Sequence, residues 1–204
     1  MTGRKRLSAD ERRDQLMAAT VRVLADRGFR AATAGEIARV AGVSKGLLWH
    51  YFTDLDDLFA TTTRYALTSL TSAAATMLDL DAPAPTVIRS AIHATTELRL
   101  THEAERRAIQ EIVLNLRTAT GEPAIGPGYL EDMLAAQEAI FRRGQSEGDF
   151  RGDLDPRVLA VTYQGMVDGM LDYLDAHPDA DADRHAENVA EVFLGGAGAA
   201  RTDD

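Results

Sequence analysis

The chain has 204 residues, is 45% hydrophobic and contains no cysteine, so it can bury on the order of 70% of its unfolded surface and cannot build a disulfide framework or a thiolate zinc site. No run of 18 apolar residues occurs, and Arg4-Lys5-Arg6 leads into polar sequence; neither a membrane span nor a signal peptide is expected, and a cytoplasmic location follows. The net charge of −10 is unevenly placed, with ten Lys/Arg against five Asp/Glu in residues 1–53 and twelve against twenty-seven in residues 54–204. A basic end on an acidic body turns that end toward phosphate and the rest away from it.

Residues 1–7 read as a basic arm, with minor-groove or backbone contacts expected from Arg4, Lys5 and Arg6. Ser8-Ala-Asp-Glu11 has capping-box spacing and opens a first helix. Leu16, Ala19, Thr20, Val23 and Leu24 then recur at helical spacing, and Gly28 ends the run. Thr33 with Glu36 is a second capping-box pattern, followed by Ile37, Ala38 and Ala41 on one face and by Gly42, which suits a left-handed helix end. Ser44 caps the next short helix, which carries Lys45, Trp49, His50 and Tyr51. Thr53 with Asp56 is expected to cap a long fourth helix running to about Leu78, before the break at Asp81-Ala-Pro-Ala-Pro85. Further helical patterns cover about 85–100, 103–119, 128–147, 156–176 and 183–195, with Asp155-Pro156 as a cap followed by a first-turn proline. No alternating stretch and no internal repeat competes, so the fold class is all-α. The glycine-rich segment from Gly195 to Asp204 reads as a disordered tail.

Two short helices joined by a glycine turn, the second basic and aromatic, outline a helix-turn-helix DNA reader. Lys45 supplies a cation, and Trp49, His50 and Tyr51 can donate hydrogen bonds to phosphate. The bland alternative is a helical hairpin that is only structural.

Gly28-Phe29, Thr33, Ile37-Ala38, Ala41-Gly42-Val43-Ser44-Lys45-Gly46 and His50-Tyr51-Phe52 resemble the tetracycline-repressor (TetR) family of transcriptional regulators. The resemblance is dense over about the first 60 residues. It implies an N-terminal three-helix DNA-binding head, residues 1–53, and a C-terminal helical domain, residues 54–204, that binds a small effector and forms a homodimer through a four-helix bundle. Thr33, Lys45, His50 and Tyr51 are expected at phosphates, both by type and by matching family positions. Ser44 caps the reading helix, while Gly46, Leu47 and Trp49 face the bases, Leu47 able to meet thymine methyls. Two positions depart from the pattern: Trp49 stands where the family more often has Tyr, and Leu55 where a phosphate-contacting Lys is frequent.

Other chemistries fit the sequence poorly. Gly42-Val-Ser44-Lys-Gly46 and Gly144-Gln-Ser146-Glu-Gly148 match a nucleophile-elbow spacing, but both follow helices instead of strands, so no enzyme is expected. His93 and Glu97 lie four apart, with His102 close to Glu103 and Glu105, a weak metal-ligand spacing better explained as a polar stripe. No metal and no cofactor is expected; a metal-responsive regulator is the alternative within the class. Leu159, Tyr163, Met166, Met170 and Tyr173 form a 4-3-4-3 stripe beside Gly165 and Gly169, which fits an ordinary core or a helix packed on two sides; Gly165, Gly169, Met170, Val189 and Phe193 are expected at the dimer interface. For the effector pocket His93, Glu97, Asn115, Gln137, Phe141, Tyr163 and Met166 combine apolar walls with a few polar groups. They suggest a small hydrophobic ligand, cationic if Glu97 lines the pocket. The expected partners are thus an operator duplex, a second copy of the chain and that effector, with no membrane. The expected function is a repressor released from a partly palindromic operator.

Overall fold

Ser8 closes its capping box in full: its hydroxyl accepts from Glu11 N at 3.1 Å, and the Glu11 carboxylate accepts from Ser8 N at 2.7 Å. The helix it opens, α1 (Ala9–Arg27), is the first of nine among the residues described by the computed structural model, which are 7–199. The others are α2 (Ala34–Ala41), α3 (Lys45–Tyr51), α4 (Leu55–Thr76), α5 (Ala84–Thr101), α6 (Glu103–Asn115), α7 (Glu131–Ser146), α8 (Pro156–Ala176) and α9 (Ala182–Ala197), with short 3-10 turns at Phe29–Ala31 and Pro127–Leu130. Among the described residues β pairing is confined to two isolated bridges. The fold is all-α. The expected basic contacts of Arg4, Lys5 and Arg6 lie outside the described residues.

Three local expectations are corrected. The cap of α4 is Asp54, whose carboxylate accepts from Asp57 N at 2.8 Å, while Asp57 accepts from Thr53 N at 3.0 Å; Thr53 and Asp56 do not form the pair. Helix α6 stops at Asn115, short of residue 119, because Leu116 turns into the core and the Thr118 hydroxyl accepts from Glu122 N, an alternative to helix that threonines offer readily. The glycine-rich C-terminus is ordered as far as Ala199: α9 runs through Gly195 and Gly196, Gly198 bridges to Phe150, and Ala199 N bonds Asp149 O at 3.0 Å. Residues 200–204 of that segment lie outside the described residues.

Two compact units divide the chain. The first holds residues up to Leu70 together with His102–Tyr129, the second Thr71–Thr101 together with Leu130 onward. Compactness therefore groups α6 with α1 to α3, a different partition from one cut at residue 53. In the first unit Leu16 and Leu24 of α1, Ile37 of α2, Leu48 of α3, Leu58 of α4 and Ile112 of α6 are all sealed from solvent. Each such side chain contributes about 1.5–3 kcal/mol by burial. The Phe29 ring meets Phe59 with centroids 5.1 Å apart, which anchors the connector between α1 and α2.

The second unit is centred on aromatics. Phe141, fully buried on α7, packs against Phe150, Tyr163 and Phe193 at centroid distances of 5.5, 6.1 and 5.6 Å. Gly144, one turn along α7, is required there: a Cβ would lie 2.4 Å from the Phe150 ring and 2.8 Å from Ala84 Cβ. Arg143 ties down the segment before α5 by donating to Leu80 O at 2.6 Å and Ala82 O at 2.8 Å.

Candidate DNA-binding site

The reading hairpin is built from α2 and α3. Thr33 caps α2 by accepting from Glu36 N at 3.3 Å, and Gly42 adopts φ 69° and ψ 33°, the left-handed conformation that ends α2. Ser44 then caps α3, its Oγ accepting from Leu47 N at 3.2 Å. The end of α2 is held from α1, where Gln15 Nε2 donates to Ala41 O at 2.7 Å. At the far end of α3 the Arg13 guanidinium lies 4.9 Å from the centroid of the Phe52 ring, and Phe52 is buried.

Helix α3 buries one residue fully, with Tyr51 packed partly against the same core. Leu48 is 0% exposed and Trp49 is 42% exposed; Lys45, Gly46 and His50 are also exposed, while Leu47 and Tyr51 are half-buried. The His50 and Tyr51 rings meet edge to face at 5.2 Å. Lys45 crosses back over the first turn of α2. A Cβ placed on Gly35 would lie 2.8 Å from Lys45 Cε, 3.2 Å from its Nζ and 3.9 Å from Thr33 Oγ1. The missing side chain at Gly35 thus brings together a cation and the hydroxyl of a helix N-cap, two groups twelve positions apart in sequence.

The capping box at Thr33 is only half formed. Glu36 turns to Arg27 at 2.8 Å and Arg39 at 2.6 Å instead of the Thr33 amide, which bonds Ala31 O. Charge-assisted bonds to guanidinium outcompete one to a neutral amide. The Arg39 hydrogen bond, with smaller help from the charges of Arg27 and Arg39, holds the Glu36 carboxyl below its ordinary value against a modest opposing effect of desolvation. Gln15, Gly35 and Arg39 were not singled out from the sequence; a glycine two residues past a helix cap was the signal available for Gly35.

The remaining candidates scatter. Phe141 and Tyr163 are buried in the aromatic core, and burial pushes the Tyr163 hydroxyl far above its ordinary value. Gln137 Nε2 donates to Gln164 Oε1 at 2.9 Å, Met166 is half-buried against the same core, and the Gln137 amide oxygen is buried with no hydrogen-bond partner among the described residues. His93 Nε2 lies 2.9 Å from Glu187, which also takes Arg89. Glu97 is exposed, and Asn115 belongs to the other unit, where it donates to Glu111 O at 2.9 Å. Neither of two surface clefts, of about 780 and 800 Å3, is lined by any of these residues. No cluster of three or more metal-ligating side chains occurs among the described residues. At the expected dimer face, Gly165 and Gly169 are exposed with nothing within 4 Å of where a Cβ would stand, and Val189 is half-buried. Met170 and Phe193 are corrected: both are buried in the core of their own unit. Val158, Val161 and Tyr173 are exposed at i±4 or i−7 spacing from these glycines on α8, and Val192 is exposed on α9.

A short helix anchored by one leucine, with its cation, aromatic and histidine directed outward after a glycine turn, defines the helix-turn-helix class of DNA-binding regulators. Residues 16–62 match the family described as bacterial regulatory proteins, tetR family. Through this segment the chain is similar to TetR-family transcriptional regulators. It is 23% identical over 205 residues to the HTH-type transcriptional regulator AcrR of Shigella flexneri, covering 95% of this chain and 93% of that protein. With the HTH-type transcriptional regulator BetI of Ectopseudomonas mendocina it shares 40% identity over 75 residues, which span 35% of this chain and only 38% of the relative. The fold is similar to that of the fatty acid degradation regulator FadR from Bacillus halodurans, with a TM-score of 0.77 at 18% identity over 94% of this chain and 98% of that one. Among the described residues no helix is long and apolar enough to cross a membrane.

Proposed function

We propose that this regulator acts in the cytoplasm as a homodimeric repressor that leaves a partly palindromic operator when a small molecule binds. Residues 1–53 serve as the DNA-binding head and 54–204 as the effector-binding and dimerisation domain. The observation that carries the DNA contacts is the outward face of α3, which packing within the unit does not use. Lys45, Thr33, His50 and Tyr51 grip phosphates, Ser44 sets the start of the reading helix, and Gly46, Leu47 and Trp49 meet base edges. Gly46 supports close approach: only Ser44 Oγ, at 3.9 Å, lies near a Cβ built there, so the subunit's own packing does not demand glycine. A two-fold dimer then presents two readers to successive major grooves.

The dimer face is assigned to Gly165 and Gly169 with Val158, Val161, Tyr173 and Val192. Bare glycines let a second helix approach closely, and exposed apolar side chains around them gain by being covered. For the effector, Gln137 and Met166 remain the strongest residues, because a buried amide oxygen without a partner is costly until a ligand donor meets it. Glu97, being exposed, lends no support to a cationic ligand, and the proposal is a small, largely hydrophobic molecule with one N–H or O–H donor.

The test is a salt titration of binding to a duplex enriched by the wild-type protein from a random-sequence library. Lys45→Ala is expected to weaken binding to every duplex and lower the slope of log K against log salt by about one unit. Leu47→Ala is expected to change base preference with the slope retained. An unchanged slope for the Lys45 variant removes that residue from the phosphate contacts, and a wild-type protein that enriches no duplex overturns the reading.

A further inference from the structure

The connector that carries the reading hairpin has a backbone donor that its own sequence does not satisfy. Gly28 ends α1 at φ 74°, a conformation that favours glycine, and it also precedes the 3-10 turn Phe29–Ala31. Having no side chain, Gly28 gives that turn no cap. The first amide of the turn is met instead from α6, where Glu111 Oε2 accepts from Phe29 N at 2.8 Å across 82 positions of sequence. The same carboxylate oxygen lies 3.6 Å from where a Gly28 Cβ would stand, and Asn115 Nδ2 approaches it at 3.5 Å while bonding Glu111 O. Anionic groups favour such amide-bearing ends, and a bond to an ionised acceptor exceeds a neutral one. Only Ala32 and Thr33 separate this turn from α2, so the place of the turn against α6 fixes where α2, Gly42 and α3 lie.

We infer that Glu111 is a positioning residue for DNA recognition, tying the connector that bears α2 and α3 to α6 through the Phe29 amide. The inference rests on the DNA-binding reading above and adds to it a residue some sixty positions beyond the reading helix, outside the hairpin altogether. It also gives Asn115 a role, bonding Glu111 O while approaching the same carboxylate oxygen.

The experiment uses the full chain, the duplex enriched by wild type, and an unrelated duplex of equal length, compared by fluorescence anisotropy at fixed salt. Glu111→Leu removes the acceptor and is expected to cut affinity for the enriched duplex roughly tenfold, because a charged hydrogen bond is lost and its donor left unmet. Affinity for the unrelated duplex, and the salt slope, stay as they were, since no phosphate contact is touched. Glu111→Gln, which keeps an acceptor oxygen, restores most of the loss. Ile112→Val, a core change on the same helix, controls for stability and leaves the preference between duplexes intact. The inference is overturned if Glu111→Leu keeps the wild-type preference, if Glu111→Gln fails to restore it, or if Ile112→Val loses it equally. A wild-type protein with no preferred duplex overturns the DNA-binding reading itself, and this inference with it.

Discussion

Helices α3 and α8 both carry glycines that no neighbour in the subunit requires, yet they are built in opposite ways. Helix α3 has seven residues and buries Leu48 alone; α8 has 21 and buries seven, among them Tyr163, Met170 and Leu174. On α3 almost every residue type is free to report what lies outside the protein. On α8 the apolar stripe faces the aromatic core, and only the opposite face, with Gly165 and Gly169, is left for another molecule. The contrast separates glycines that are required from within from those that leave room outside. Gly144 is of the first kind; Gly46, Gly165 and Gly169 are of the second.

The largest test of this contrast is Phe141→Ala. Its ring is fully buried against three others, so truncation is expected to cost about 3–5 kcal/mol and to unfold the second unit well before the first, seen as two separate thermal transitions. If Phe141 instead lines an effector pocket, the variant keeps its wild-type melting curve and loses only its response to ligand. Next in size is Gly144→Ala, where a methyl would strike the Phe150 ring and Ala84. The expected loss is about 1–3 kcal/mol, read from urea denaturation. A variant as stable as wild type shows that Phe150 can move aside, and Gly144 then joins the second kind.

What the sequence made legible follows the same division. The ends of α1, α2 and α3 were readable because each depends on contacts within four residues: Ser8 with Glu11, Thr33 with Glu36 N, Ser44 with Leu47 N, and Gly42 in its left-handed turn. The partner of Glu36 was not, since Arg27 reaches it from another helix. The 4-3-4-3 stripe on α8 fits either a core or a second subunit, because periodicity gives a face without saying what covers it; Leu159, Tyr163, Met166 and Met170 pack in the core of the unit, while Tyr173 stays exposed. Gly195 to Ala199 read as a tail for a similar reason. Their order comes from pairing with Asp149 and Phe150, some fifty residues earlier.

Glycines of the second kind predict smaller effects on folding and larger ones on binding. Gly46→Ala is expected to stabilise the isolated subunit by up to about 1 kcal/mol, because alanine is the better helix former. If Gly46 meets base edges as proposed, affinity for the enriched duplex should nevertheless fall, since the added methyl would keep the backbone from the DNA. Equal duplex affinity would return Gly46 to the status of an incidental residue. Gly169→Leu should likewise leave the melting curve of the monomer unchanged while shifting sedimentation from dimer to monomer at micromolar concentration. An undisturbed dimer would move the interface off this face.

The smallest expected effect concerns the surface network of the second unit. Glu187 is held below its ordinary value of 4.5 first by its hydrogen bond to His93 and then by bonds from Arg89, with desolvation opposing. A carboxyl depressed in the folded state adds stability that is present above its unfolded pKa and is lost as pH falls through the folded one. The Glu187 contribution should therefore be lost as pH falls below about 4.5. Glu187→Gln removes it, so the difference in Tm between wild type and variant should close as pH drops through that range. Because the pair is exposed, added salt should shrink the neutral-pH difference as well. A gap that persists at low pH would mean that Glu187 stabilises α9 through packing of its stem against α5 and not through its charge, which would place the network with the required contacts of the core instead of the solvated surface.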